Sequence, residues 1–405
     1  MIGLNWARSS NIDSARPAGA RKEVSDHILY LAWLAQSPSI ELNAAQTTQV
    51  AEFLSSSSWT ISTLAAEVLL QRGQIAMPSQ LKHLSSRELS SHSIADDGAF
   101  SSRINVEHYD AFELLHPAYA RQVVAVAEDI YTFLQPTDIT AVVDVGTGPG
   151  VPLLMLREML PGRSFVAIEP DDVAIGCLMA NLQGVSDVTA VQKDFLSYES
   201  TASSVPLITS IGASHHFNTA FMMQKAMQLL CPAGLLVVAD EFLPPFSRQD
   251  ERNVALVLHH SAYLLHTMQW LGDGTANDTD IERTIYKEFR RSMTQAWISA
   301  REGNGVRAVS ICRELYMKMR HEGLSKTPDG DIGSFVRFFW LELQAMVAGF
   351  DYEVEQKSHP LRFAELAAFA GFELVSHRRI FATIGESDWA GGTHVFAFRK
   401  PAFLP

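Results

Sequence analysis

Asp144 is followed at once by the glycine turn Gly146-Thr-Gly-Pro-Gly150, and acids or histidines stand at the end of each later apolar run. Glycines at 146, 148 and 150 let the backbone turn sharply and approach a ligand closely. Glu169 stands 19 residues after Gly150, where an acid can accept hydrogen bonds from both hydroxyls of a ribose. Asp194-Phe195 offers a carboxylate for the amino group of a base and a ring to pack on it. His215 and His216 can take a proton from a hydroxyl or amine near neutral pH. Asp240 and Glu241 can serve as a base or orient an acceptor. His259, Tyr263 and His266 share one helical face and can ligate a metal or line a pocket. No H-E-x-x-H motif or carboxylate at ligand spacing accompanies them, so no metal is expected. Each group also has a structural reading: a helix start bonded to backbone, a cap, an arginine partner, or an apolar helix face.

The elements that position these groups are short. Ala141–Val145 is β-branched and flanked by turn residues, as in a central parallel strand. A helix is expected from Val151-Pro152, since proline suits a first helical turn. Further strands are expected at Ser164–Ile168, Val188–Gln192, Leu207–Ile211 and Leu235–Ala239. The fourth ends in Gly212-Ala-Ser-His-His-Phe217, and Cys231-Pro-Ala-Gly234 is the turn into the fifth. A helix over Phe363–Phe369 and strands at Leu374–Phe381 and His394–Phe398 close the chain. A dinucleotide fingerprint is excluded, because its third small residue falls on Val151.

The G-x-G-x-G turn preceded by Asp-Val resembles motif I of the class I S-adenosylmethionine-dependent methyltransferases. Strand, helix and acid alternate in that family's order over Ala141–Glu241 and again over Leu361–Lys400. The resemblance implies an α/β, Rossmann-like, seven-stranded and mostly parallel sheet. It implies S-adenosylmethionine as cofactor, with Asp144 and Gly146 at its methionine part, Glu169 at the ribose and Asp194 at the adenine. Gly148, Gly150, Phe195, Ser210 and Gly212 complete the expected cofactor contacts, and Tyr109 can set its ring against the sulfonium. The chain departs from the family where Ala233 replaces a second glycine before strand five and where Val205-Pro206 replaces an aspartate opening strand four.

With 405 residues, 47% of them hydrophobic, the chain can bury a large core. A net charge of −13 disfavours phosphate backbones, so nucleic acid is not an expected partner. Cys177, Cys231 and Cys312 are too few and too scattered for a disulfide framework or a zinc site, and Cys177 and Cys231 read as buried thiols. The first thirty residues hold no apolar signal region and no run suits a membrane span, so a cytoplasmic location is expected.

Four parts are expected: an all-helical N-terminal part over 1–100, a cofactor-binding core over 101–242, a helical lid over 243–360 and closing elements over 361–405. In the first, Val24–Leu34, Ala44–Leu54 and Ile61–Leu70 carry helical spacing, with breaks at Ser55–Ser58 and Ser85-Ser86. Arg103–Leu134 places Tyr109, Phe112, Leu115 and Tyr119 at helical intervals ahead of the first strand. The lid holds helical stretches at Gln249–Leu271, Thr279–Glu302, Gly305–His321 and Ile332–Phe350, divided at Gly272-Asp-Gly274 and Pro328-Asp-Gly330. Phe335, Phe338, Phe339 and Trp340 read mainly as lid core.

An insertion after strand five covers the carboxyl ends of the strands, where open α/β sheets bind ligands. The expected function is methyl transfer to a small, specialised metabolite, with His215, His216, Asp240, Glu241 and His259 as catalytic candidates and a homodimer as a possible assembly. A second class keeps the cofactor fold but consumes the aminocarboxypropyl arm, as azetidine-2-carboxylate and nicotianamine synthases do. A third uses S-adenosylmethionine non-catalytically or in a pericyclic role. Motif I serves all three alike.

Overall fold

The computed structural model describes residues 24–81, 104, 106, 109–200, 205–273, 278–322, 331–352 and 355–402. The breaks read at Ser85-Ser86, Gly274 and Pro328-Asp-Gly330 lie outside them. Three helices come first: α1 (Asp26–Gln36), α2 (Ala44–Phe53) and α3 (Trp59–Leu70). Then α4 (Tyr109–Leu115) and α5 (Tyr119–Phe133) lead into β1 (Ala141–Val145), α6 (Val151–Met159), β2 (Ser164–Ile168), α7 (Asp172–Asn181) and β3 (Val188–Val191). The chain continues through β4 (Val205–Ile211), α8 (Thr219–Leu229) and β5 (Leu230–Phe242). Four helices follow: α9 (Gln249–Leu271), α10 (Asp280–Arg301), α11 (Gly305–Glu322) and α12 (Asp331–Ala348). Last come α13 (Pro360–Phe369), β6 (Glu373–Ile384) and β7 (Gly391–Arg399).

The strands form one sheet of seven in the order β3-β2-β1-β4-β5-β7-β6. The first five run parallel, while β7 is antiparallel to both β5 and β6. Period-two alternation divides the strand residues between two apolar layers. Val142, Leu207, Val237 and Ala397 face the layer of α5 and α6. Val143, Val145, Ile208, Val238 and Phe396 face the layer that holds Met222 of α8 and Phe363 of α13. The core shared with α5 and α6 also contains Leu31, Leu34, Leu64 and Val68 of the first helices. Glu158 of α6 fixes them further. Its carboxylate accepts the N–H groups of Trp59 and Thr60 at 2.6 and 3.1 Å and the Ser58 hydroxyl at 2.6 Å, satisfying donors that the start of α3 leaves open.

The structure corrects several sequence expectations. Within Arg103–Leu134, residues 103, 105, 107 and 108 lie outside the described set, and the rest forms two helices. They part at His116-Pro117-Ala118, where Pro117 has no N–H to continue a ladder and Ala118 takes φ +87°. Strand five runs to Phe242, because Asp240 and Glu241 pair with His394 and Thr393 of β7. Cys231–Gly234 bulges out of the β4 pairing between Leu230 and Leu235, with Ala233 at φ +61°. Cys177 and Cys231 are only partly buried, whereas Cys312 is fully so.

The helices α9–α12 build a core of their own. Phe335, Phe338 and Phe339 pack there with Tyr286, Phe289 and Met293 and with Phe112 and Tyr119 from α4 and α5. This apolar body brings the helices over the carboxyl ends of β4 and β5. No described helix is long and apolar enough to cross a membrane.

Candidate active site

The glycine turn is shaped by positive φ angles at Gly146 (+67°), Gly148 (+57°) and Gly150 (+93°). A Cβ on Gly146 would meet Ala213 Cβ at 2.5 Å, so glycine is what lets the β1 turn touch the segment after β4. Gly146 and Thr147 donate their N–H groups to the Ile168 carbonyl at 2.9 and 3.1 Å, and Gly148 donates to Glu169 Oε2 at 2.8 Å. Asp144 accepts the hydroxyls of Thr209 (2.6 Å) and Thr147 (2.9 Å). Burial outweighs these bonds and raises its carboxyl to about 6.

A further acid faces this turn. Glu113 of α4 is buried, its Oε2 has no hydrogen-bond partner among the described residues, and its Oε1 lies 4.0 Å from where a Gly148 Cβ would stand. Burial raises its carboxyl well above the ordinary range, and the charges of Asp110, Asp144 and Glu169 add to this. Among the described residues, no lysine or arginine forms an ion pair with Glu113, Asp144 or Glu169. A backbone turn open to close approach, beside several unneutralised carboxyls, fits a nucleoside that carries positive charge. S-adenosylmethionine, with its sulfonium and ammonium, has that character.

The other expected cofactor contacts fall in different places. Glu169 stands beside the turn, already accepting Gly148 N–H and, at 2.9 Å, Asp171 N–H. Asp194 is exposed and caps the short turn Phe195–Ser197 through Leu196 N–H. The Phe195 ring enters the core beneath the sheet, edge-on to Phe217 at 6.3 Å, and this burial is its evident role here. Ser210 is fully buried and donates its hydroxyl to the Val145 carbonyl at 3.1 Å, so it serves the sheet. Gly212, at φ +74°, passes beneath the Tyr119 hydroxyl, which a Cβ would meet at 2.8 Å.

Beyond Gly212 opens a small cavity of about 20 Å³. Gly212, His215, His216, Asp240 and Glu241 supply its sheet side, Tyr109, Phe112 and Tyr119 an aromatic side, and His260, Glu342, Glu355 and Lys357 the far side. Tyr109 stacks on Phe112 with centroids 4.7 Å apart. Asp240 Oδ1 lies 2.7 Å from His215 Nδ1, and Asp240 also takes the Ser214 hydroxyl and the His215 N–H. Burial alone would raise Asp240, but the His215 imidazole and these hydrogen bonds hold it below the usual carboxylate range. Glu241 behaves likewise: burial opposes ionisation, and Lys357 at 3.6 Å with His259 at 3.2 Å outweighs it.

His259 is a partner to other residues. Both ring nitrogens are engaged, by Thr383 Oγ1 at 2.8 Å and Glu241 at 3.2 Å, and the ring does not line the cavity. Tyr263 bonds Thr393 at 2.6 Å, while His266 packs on Trp270. Among the described residues no cluster of three or more histidines, cysteines or acids could hold a metal. Glu113, His116, His260, Glu342, Glu355 and Lys357 were not singled out in the sequence. The available signal was a charged or titratable residue within an apolar helix, plainest at Leu341-Glu342-Leu343.

Residues 142–234 match the family model of a methyltransferase domain. Among curated proteins, none matches the chain. Solved structures similar to it include the YcgJ protein of Bacillus subtilis, at 16% identity and TM-score 0.30 over 34% of this chain and 58% of that one. The N-methyltransferase NodS of Bradyrhizobium japonicum WM9 is similar at 12% identity and TM-score 0.32, over 76% and 99% of the two chains. A S-adenosylmethionine-dependent methyltransferase of Mesorhizobium loti is similar at 19% identity and TM-score 0.25, over 31% and 62%. The chain thus spans less than two thirds of YcgJ. Residues 142–234 are thus similar to a methyltransferase domain, and the G-x-G-x-G turn after β1 and the strand order of the sheet give this part of the chain a Rossmann-like form.

Proposed function

We propose that this protein transfers a methyl group from S-adenosylmethionine to a small metabolite enclosed between the ends of β4 and β5 and the helices α9 and α12. One observation carries the reading. The segment Gly212–His216 meets the glycine turn through Ala213 and lines the cavity through Gly212, His215 and His216. Cofactor turn and cavity therefore adjoin through the same few residues. A largely buried lining that mixes aromatic rings with a few charged groups suits a small acceptor.

When bound, S-adenosylmethionine supplies a methyl carbon whose bond to sulfur breaks, its electron pair staying on sulfur, as the acceptor's lone pair bonds to carbon. Gly146, Gly148, Gly150 and Glu169 would hold the nucleoside side, with Asp144 supplying negative charge, Glu113 facing the turn from α4 and Asp194 at the adenine. Asp240 orients His215 by accepting from Nδ1–H, which leaves Nε2 free to take the acceptor's proton. His216 borders the same space and Glu241 anchors the cavity's charged side. The helices α9–α12 act as a lid that excludes water, and most of the rate comes from positioning the reactants.

The proposal includes the division into 1–100, 101–242, 243–360 and 361–405, a cytoplasmic location, a possible homodimer, and no nucleic-acid partner. The decisive test is mass spectrometry of the purified protein with S-adenosylmethionine alone and then with small metabolites. Intact S-adenosylmethionine in the first case and S-adenosylhomocysteine in the second is the expected result. Methylthioadenosine with a cyclised or transferred amino acid would overturn it.

A further inference from the structure

The cavity wall facing β4 and β5 holds a second histidine–carboxylate pair that methyl donation does not use. Glu342 Oε1 of α12 lies 2.8 Å from His260 Nδ1 of α9, and both side chains are 1% exposed to solvent. His260 Nε2 has no hydrogen-bond partner among the described residues, although the ring lines the cavity. A buried ring nitrogen without a partner is uncommon and calls for an explanation. A ligand group in the cavity is the direct one.

The charges around it identify the ligand's sign. Asp240 is taken up by His215, and Lys357 is shared by Glu355 at 2.5 Å and Glu241 at 3.6 Å. Glu342 has no lysine or arginine within 4.0 Å among the described residues, only His260 and, at 3.8 Å, His116. Burial lowers both imidazoles, His116 to about 4, so they are neutral at pH 7. Around the cavity the carboxyls of Glu241, Glu342 and Glu355 thus face one lysine, Lys357, which pairs with Glu355 and Glu241 and not with Glu342. The rings of Tyr109, Phe112 and Tyr119 line the same space, and aromatic faces attract cations.

We propose that the methyl acceptor is a small amine bound as its ammonium, with Glu342 as counter-ion and His260 Nε2 accepting one of its N–H groups; one proton then passes to His215 Nε2, freeing the nitrogen lone pair that bonds to the methyl carbon as the carbon–sulfur bond breaks. This rests on the methyl-transfer reading above and names the acceptor class. The Glu342 carboxyl is itself raised well above the ordinary range, by burial first and then by the Glu241 charge, against the opposing charge of Lys357. An arriving ammonium favours its ionised form, and Nδ1–H of His260 then donates to it.

The test is calorimetry of the full chain saturated with S-adenosylhomocysteine, which blocks turnover. Ethylamine, butylamine and phenethylamine are titrated near pH 7.5 beside ethanol, butanol and 2-phenylethanol. At least one amine should bind about tenfold or more tightly than its alcohol, a difference that Glu342→Gln removes and Glu342→Asp largely keeps. S-adenosylhomocysteine affinity should stay within about twofold in both variants, which also reports that they are folded. An amine preference that is absent in the wild type, or that survives Glu342→Gln, would overturn the proposal. Failure of the wild type to bind S-adenosylhomocysteine would instead bring down the methyl-transfer reading, and this inference with it.

Discussion

Asp240 grips His215 twice: Oδ1 lies 2.7 Å from Nδ1 of the ring, and Oδ2 accepts the backbone N–H of the same residue at 2.9 Å. The second bond fixes where the ring starts and the first fixes how it is turned. In the proposed mechanism an ionised Asp240 keeps the ring's proton on Nδ1 and leaves Nε2 to act as the base.

Asp240→Asn should therefore leave the fold and cofactor binding in place while spoiling the base. An amide can offer N–H to Nδ1 and favour the other tautomer. Turnover should fall about 10²–10³-fold, with S-adenosylmethionine affinity changed less than about threefold. Kinetics together with calorimetry checks both halves. A matching loss of affinity would mean that Asp240 shapes the cofactor site and does not act through His215.

The Asp144 carboxyl, raised from 3.8 to about 6 by burial, links stability to pH. A carboxyl raised on folding contributes stability that is complete below the unfolded value and is lost as pH rises through the folded one. The protein without cofactor should lose on the order of 2–3 kcal/mol from this group between pH 4 and 7. Asp144→Asn should then be more stable than the wild type at pH 8 by about 2 kcal/mol, and no more stable at pH 4. Urea denaturation across that range measures it, and parallel pH curves for the two proteins would refute the assignment.

Glu169 accepts two backbone N–H groups that shape the glycine turn, and it stands where the ribose is expected. Glu169→Ala should weaken S-adenosylmethionine binding by about 1–3 kcal/mol through lost charge-assisted hydrogen bonds. Unchanged affinity in calorimetry would remove Glu169 from the cofactor site.

Ala233 holds φ +61°, a region that costs an L-residue roughly 1–2 kcal/mol. Glycine avoids that strain but brings more chain entropy to the unfolded state, about 0.5–1 kcal/mol. Ala233→Gly should thus stabilise the protein slightly, by about 0.5–1 kcal/mol, without touching activity. Thermal unfolding gives the sign, and a lower melting temperature would contradict the strain argument.

The local code reached far in this chain. β1 and β2 formed over Ala141–Val145 and Ser164–Ile168 because β-branched runs between turn residues have few other options. The glycine turn was legible for the same reason: φ angles near +60° to +90° at positions 146, 148 and 150 are open to glycine at little steric cost. Ala233 falls at a position where the family resemblance expects glycine, and the structure gives it a glycine-like angle.

What the sequence could not determine depends on contacts between distant segments. Glu113 and Asp144, or His260 and Glu342, become neighbours only when helices before and after the sheet close on its carboxyl edge. His215 and His259 looked alike as titratable residues beside apolar runs. Only packing gave His215 a carboxylate partner at the cavity wall and gave His259 two partners that engage both its nitrogens. Strand five outran its apolar core because β7 offered pairing as far as Gly392, a register no local pattern encodes. Sequence by itself determined the strands, the glycine turn and the acids beside it, since these rest on backbone sterics and short-range periodicity. Tertiary structure alone decided which titratable groups are buried, paired or left facing the cavity, because desolvation and charge pairing act between residues far apart in the chain.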